Sequence, residues 1–334
     1  MNEIKVSVLC LAYNHEKFIR KCLDGFVMQK TDFKFEVLVH DDASTDGTKA
    51  IIEEYEKNYP EIIKPIYQTE NQYSKGIDIG EDILLSKLKG KYIAFCESDD
   101  YWCDENKLQI QYDFMEEHSE CSACFHNTII HNLKTGEDKK INQFKEIHYL
   151  IPDDVINNYL VHTTSYFLRK EFFYKEDWQR KYWFGDLVYL TNLMKEGKLA
   201  VLPQVMSVYN YNNTGSITTK INNEFDITNR LNERRKDIEY YINYNIKTKY
   251  KYNDIIINKI IKHDFMILFE EFNYYLHKVK NKQEYVDLLK RLKTHIYFYK
   301  FKKEAKFISK FKNIIRFNSP YWFFKIWSKL KYKK

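Results

Sequence analysis

Two acid-rich runs, each placed straight after a short apolar run, carry the chemistry most clearly. The first is Glu36-Val37-Leu38-Val39-His40 leading into Asp41-Asp42-Ala43-Ser44-Thr45-Asp46-Gly47. The second is Lys91-Tyr92-Ile93-Ala94-Phe95-Cys96 leading into Glu97-Ser98-Asp99-Asp100-Tyr101-Trp102. Short apolar runs bounded by turn residues read as buried strands of a parallel sheet. In open α/β sheets, ligands bind beyond the carboxyl ends of such strands. Carboxylates massed there repel one another, and a metal carrying a phosphorylated ligand relieves that repulsion. The pattern is that of an enzyme's site.

The elements that must hold these acids alternate strand and helix over residues 4–130. After a strand at 4–12, Phe18, Ile19, Cys22, Leu23, Phe26 and Val27 recur at helical spacing. A strand at 35–40 follows, then Ser44 as N-cap of a helix through Ile51, Ile52 and Tyr55. Ile62 to Tyr67 reads as a third strand, and Pro65 puts it at a sheet edge. A helix with Ile79, Ile83, Leu84 and Leu88 stops at Gly90, followed by a strand at 91–96, a helix at 107–118 and a strand at 122–130. This βαβαβαβ order is half of a doubly wound domain. From 140 to 220 the pattern is mixed, with strands at Tyr166-Phe167-Leu168 and Val205-Met206-Ser207-Val208-Tyr209; beyond 225 it is almost wholly helical.

The chain of 334 residues is long enough for one large domain and an appended one, and its nine Gly and five Pro imply compact loops. From Lys300 to Lys334 there are twelve basic residues and one acid, Glu304, a net of +11, so the rest carries −5 of the total +6. The first residues enter a strand with no basic leader or cleavage site, and no run of eighteen apolar residues suggests a spanning helix. Six scattered Cys, several in apolar runs, read as reduced, buried thiols of a cytoplasmic protein. His118, Cys121, Cys124 and His126 mimic zinc-ligand spacing, but no second Cys pair completes a ribbon, so a packed strand with free thiols is the expectation.

Four ordered stretches resemble the family-2 glycosyltransferases. They are Val6 to Asn14, Asp41 to Thr48, Gly90 to Trp102, and Gly185-Asp186. The resemblance implies a GT-A fold: an α/β, doubly wound mixed sheet with a helical C-terminal extension. The expected catalytic domain is 1–220, with a nucleotide-binding half at about 1–130 and an acceptor half at about 131–220, and the basic, aromatic extension is 221–334.

It further implies a nucleotide-diphosphate sugar donor, a UDP-hexose or UDP-N-acetylhexosamine, with dTDP-rhamnose as an alternative. Asp42 would accept from the N–H of the base, in a pocket lined by Ala12 and Tyr13. Glu97-Ser98-Asp99 stands where the family has Asp-x-Asp, so Asp99 would bind Mg²⁺ or Mn²⁺, with Glu97, Ser98 and Asp100 beside the donor. Asp186 matches the position of the general base in an inverting displacement. Where many members have Arg-x-His, this chain has Asn210-Tyr211-Asn212, leaving Asn212 to offer the metal an oxygen. The family's Asn-x-Gly becomes Asn71 to Gly76, with Lys75 supplying phosphate charge.

The implied acceptor is a growing surface glycan or a lipid-linked oligosaccharide, with no role for nucleic acid. The tail is expected to hold the enzyme at the inner face of the cytoplasmic membrane. There Phe323, Ile326, Trp327 and Leu330 form an apolar helical stripe, with Lys325 and Lys329 off it, suited to anionic lipid. Trp178, Tyr182, Trp183 and Phe184, just before Asp186, serve either as core or as a sugar-stacking wall. Two rival functions are a nucleotidyltransferase making nucleotide sugars and a catalytically silent scaffold. The first would carry a Gly-rich, basic loop after the first strand, which Ala12-Tyr13-Asn14-His15-Glu16 is not, and the second would hydrolyse no donor. A dehydrogenase is disfavoured because no Gly-x-Gly-x-x-Gly follows a strand.

Overall fold

The computed structural model describes residues 3–182, 185–213 and 227–276, with positions 283 and 287. The elements in chain order begin with β1 (Ile4–Ala12), α1 (Ile19–Val27), β2 (Lys34–Asp41), α2 (Thr48–Asn58), β3 (Ile63–Tyr67), β4 (Tyr92–Phe95) and β5 (Tyr101–Trp102). There follow α3 (Lys107–Glu117), β6 (Cys121–Asn132), β7 (Asp138–Lys140), β8 (His148–Tyr149), α4 (Pro152–Asn157), β9 (Phe167–Arg169), α5 (Gly185–Glu196) and β10 (Lys198–Tyr211). Helices α6 (Ile227–Lys247) and α7 (Asn253–Leu276) come last. The chain divides into two units, Met1–Asn223 and Glu224–Lys334.

The first unit is built on one mixed sheet ordered β3-β2-β1-β4-β9-β6-β10-β5. Strands β3, β2, β1 and β4 run parallel, as do β6 and β10. Between these two blocks β9 pairs antiparallel with both β4 and β6. Pro65 lies in β3, at the edge, where a missing N–H costs no ladder bond. Side chains alternate across β1. Val6, Val8 and Cys10 join a core with Ile19, Leu23 and Phe26 of α1, while Leu9 joins a second core with Leu168 and Leu193. The sheet is therefore buried on both faces, which explains its near-continuous apolar strands.

Two expectations about local structure are corrected. Ser44 does not cap α2, which starts at Thr48 after Gly47; its hydroxyl accepts from the Asn14 N–H instead. The stretch carrying Ile79, Ile83 and Leu84 is not a regular α-helix but a wide π-turn over Ile79–Leu84, followed by a tight turn at Leu85–Lys87. Asp78 accepts from the Glu81 N–H at its start, and its carboxylate pairs with Lys175. Such interruptions of an i→i+4 ladder accompany functional sites.

In the second unit, α6 and the turn that follows it carry a stack of tyrosines. Tyr240 and Tyr244 lie 6.0 Å apart at 13°, and Tyr244 and Tyr252 lie 6.0 Å apart at 7°. Lys249 and Tyr250 take positive φ in the turn between the helices. Among the described residues no helix is long and apolar enough to cross a membrane. The tail from Lys300 onward, and with it the membrane stripe, lies outside the described residues, as do Trp183 and Phe184.

Candidate active site

The Glu97–Asp100 loop is pinned from three sides. Its start is sewn to β1, since the Cys96 N–H donates to Leu9 and the Ser98 N–H to the Leu11 carbonyl at 3.1 Å. Its end is held because β5 pairs antiparallel with β10, Trp102 opposite Ser207. The Trp102 indole donates to the Thr164 carbonyl at 3.0 Å. Helix α1 crosses so closely that a Cβ on Gly25 would stand 2.8 Å from the Trp102 carbonyl oxygen, which explains a glycine there. Asn210, at the end of β10, binds the loop directly. Its N–H donates to Asp100 Oδ1 at 2.8 Å and its amide to the Asp99 carbonyl at 2.6 Å.

Glu97, Asp99 and Asp100 each aim a carboxylate oxygen into one space, all within 4.8 Å of one another. Asp99 and Asp100 are buried, and among the described residues Asp100 Oδ2 has no hydrogen-bond partner. Burial first, then the charge of Asp99, raises the Asp100 carboxyl well above its ordinary range. Protein atoms crowding Glu97, then the charges of Asp99 and Asp186, push it up to about 8. Glu97 still reaches solvent, so the like charges are the firmer of these two causes. Hard oxygen donors, an orphaned buried oxygen and mutual repulsion fit a divalent cation.

The first acid run is used differently. Asp41 Oδ1 accepts from the Ser44 N–H at 3.3 Å, and Asp46 accepts from the N–H groups of Glu16 and Thr48. Asp42 accepts from the Gln72 and Tyr73 N–H groups at 2.7 and 3.1 Å, fixing the turn after β3. Backbone donors therefore offset the charge of this run. Among the described residues it is not part of a metal-competent group. Ala12 is buried at the end of β1, and Tyr13 beside it is exposed. Lys75 pairs with Glu70 on the surface.

Asp186 lies in the first turn of α5, where its Oδ2 accepts from the Thr163 hydroxyl at 2.9 Å. Surrounding protein raises its pKa, while the Thr163 bond and Lys175 oppose the shift. Its charge acts on Glu97, so both fall within one electrostatic site. Asn212 takes a positive φ of 65°, and its amide donates to Asn132 at 3.0 Å. This left-handed residue breaks the strand alternation, and it is Asn213 that reaches Asp99 Oδ2, at 3.2 Å. Tyr182 is core, buried at 3% exposure, and Trp178 donates to Glu176.

Sequence reasoning missed several neighbours. His15 Nδ1 meets the Ser98 hydroxyl at 2.6 Å, and its Nε2 lies 4.0 Å from Asp99 Oδ2. His162 is buried, stacked on Tyr209 at 4.0 Å, with Nδ1 4.0 Å from Asp100 Oδ2. Burial depresses it to about 3, so it is neutral, and its Nδ1 accepts from the Thr164 N–H. The only signal for His15 was a polar residue beside a strand end, which many surface turns share, and His162, in the loop between α4 and β9, had none.

The profile described as "Glycosyl transferase family 2" matches residues 7–183, and the chain belongs to that family. It is 33% identical over 204 residues to an uncharacterized protein of Mycobacterium tuberculosis, covering 61% of this chain and 58% of that protein. It is 31% identical over 167 residues to the putative teichuronic acid biosynthesis glycosyltransferase TuaG of Bacillus subtilis, covering 50% of this chain and 62% of TuaG. The chain thus spans little more than half the length of these curated relatives. Staphylococcus aureus TarS 1-349 in complex with UDP-GlcNAc superimposes with a TM-score of 0.59 at 20% identity, covering 87% of this chain and 81% of that one. The likeness to TarS establishes the GT-A fold.

Proposed function

We propose that this family member is a divalent-cation-dependent, inverting transferase that moves a sugar from a UDP-hexose or UDP-N-acetylhexosamine to a hydroxyl of a cell-surface glycan or lipid-linked oligosaccharide. The observation that carries the reading is the Glu97-Asp99-Asp100 cluster with its unpartnered, buried Asp100 oxygen. TarS binds UDP-GlcNAc and TuaG is named for teichuronic acid biosynthesis, which supports the donor and acceptor classes.

Asp99, with Asp100 and Glu97, would hold Mg²⁺ or Mn²⁺, which neutralises charge on the departing diphosphate. Asp42 keeps a lone pair on each oxygen beyond those given to Gln72 and Tyr73, enough to accept from the base beside Ala12 and Tyr13. Lys75 would release Glu70 to meet phosphate. Asp186 takes the acceptor's hydroxyl proton as that oxygen bonds to the anomeric carbon and the bond to diphosphate breaks. Thr163 orients the carboxylate through its hydroxyl. One displacement inverts the anomeric centre, so no enzyme nucleophile is needed. Asn212, through Asn132, braces the turn from which Asn213 reaches Asp99.

The tail's basic and aromatic residues would hold the enzyme at the inner face of the cytoplasmic membrane. A thermal-shift panel of nucleotide sugars with Mn²⁺ tests the central reading, because a ligand that binds the native state raises its melting temperature. A cation-dependent shift with UDP-sugars is expected, and no shift with any nucleotide sugar would overturn it.

A further inference from the structure

Tyr159 stands apart from the other exposed aromatics. Its residue is 57% exposed, yet the backbone around it is fixed. The next carbonyl, that of Leu160, accepts from the buried Asn142 amide at 3.0 Å. Two residues on, His162 is locked between Tyr209 and the Thr164 N–H, and the following Thr163 holds Asp186. The Tyr159 ring meets His162 edge-on, at 6.3 Å between centroids and 89° between planes. Among the described residues its hydroxyl has no hydrogen-bond partner. The ring stands beside the acid recess through this His162 contact, since the residue after His162 is the Thr163 that donates to Asp186.

Exposed tyrosines are ordinary on surfaces. An open ring on a pinned backbone, set edge-on to a histidine whose next residue holds Asp186, is a different arrangement. Its two side-chain torsions leave little entropy to lose on contact. The electron-rich ring face attracts the polarised C–H bonds of a sugar, and the phenol is left to bond a sugar hydroxyl.

We propose that Tyr159 is the acceptor platform of this site: a pyranose ring of the acceptor lies on its open face, beside Asp186. The inference rests on the glycosyltransferase reading and adds to it the residue that recognises the acceptor as a pyranose.

The experiment uses the full chain saturated with UDP and Mn²⁺, with methyl β-D-glucopyranoside and methyl N-acetyl-β-D-glucosaminide as probes. Saturation-transfer NMR reads their contact with the protein in wild type, Tyr159→Phe and Tyr159→Ala. Wild type and Tyr159→Phe should give transfer to a pyranoside, and Tyr159→Ala should weaken it by about fivefold or more. Calorimetric UDP affinity should stay within about twofold in both variants, which also certifies their fold. Undiminished transfer in Tyr159→Ala, or no transfer from either pyranoside in wild type, overturns the proposal. A selective loss of UDP affinity overturns it too, by moving Tyr159 to the donor side. Failure of wild type to bind UDP with any cation would instead sink the underlying glycosyltransferase reading.

Discussion

Replacing Asp99 with Asn should move stability in opposite directions with and without a cation. The ligand oxygens of Glu97, Asp99 and Asp100 lie within 4.8 Å of one another, and the charge of Asp99 raises the pKa of both neighbours. At about that separation two unit charges repel by about 0.9 kcal/mol in water and about 3.5 kcal/mol at an effective dielectric of 20. Glu97 opens to solvent and Asp100 is held toward its neutral form, so the lower figure governs. Asn keeps the shape and an oxygen for the Asn213 amide. In chelator, Asp99→Asn should therefore gain about 1 kcal/mol, or about 2–4 °C in melting temperature. With Mn²⁺ and UDP at a hundred times Kd, wild type should gain about 2.7 kcal/mol, and the variant should lose that gain. Differential scanning fluorimetry reads both arms. A variant that melts below wild type in chelator, or that keeps the cation-dependent shift, refutes the reasoning.

Asp186→Asn should bind UDP-sugar normally but lose transfer by about 10²–10⁴-fold, checked by pairing calorimetry with a transfer assay; wild-type turnover would leave Asp186 a helix-end residue. Thr163→Val removes only the bond that orients Asp186, and should lower kcat by about tenfold while leaving UDP affinity unchanged. Lys107 is fully buried, bonded to Gln111, and depressed to about 7 by burial. Between that value and its unfolded pKa only the unfolded chain carries the proton, so stability rises with pH by about 1 kcal/mol per unit and falls as pH drops toward 7. Urea melts at pH 7 to 10 should show that slope in wild type and a flatter one in Lys107→Met. Gly25→Ala forces α1 off the Trp102 backbone and should cost about 1–3 kcal/mol, read by the same melts.

What the amino-acid sequence determined by itself is local and periodic. The apolar runs of β1, β2 and β4 and the carboxylates after them were legible because burial on both faces demands continuous apolar strands, and strand ends concentrate ligands. Asp186 was singled out through the ordered motif set alone, and the structure sets it in the first turn of α5, where an acid is commonplace.

Only the tertiary structure decided how the two acid runs divide their work. Asp41, Asp42 and Asp46 face backbone N–H groups and hold loops, while Glu97, Asp99 and Asp100 turn one oxygen each into a shared space, with Asp100 keeping a single backbone donor, the Asn210 N–H. It also set the Asn213 amide on Asp99 and turned that of Asn212, the residue the family resemblance had singled out, to Asn132, because Asn212 takes a left-handed conformation. His15, Thr163 and Asn210 reach the site from 84, 64 and 111 residues away from Asp99, numbers that local spacing cannot encode. Strand pairing between β1 and β4 and between β5 and β10 is what brings them together, and such pairing is a property of the assembled sheet, not of any window along the chain.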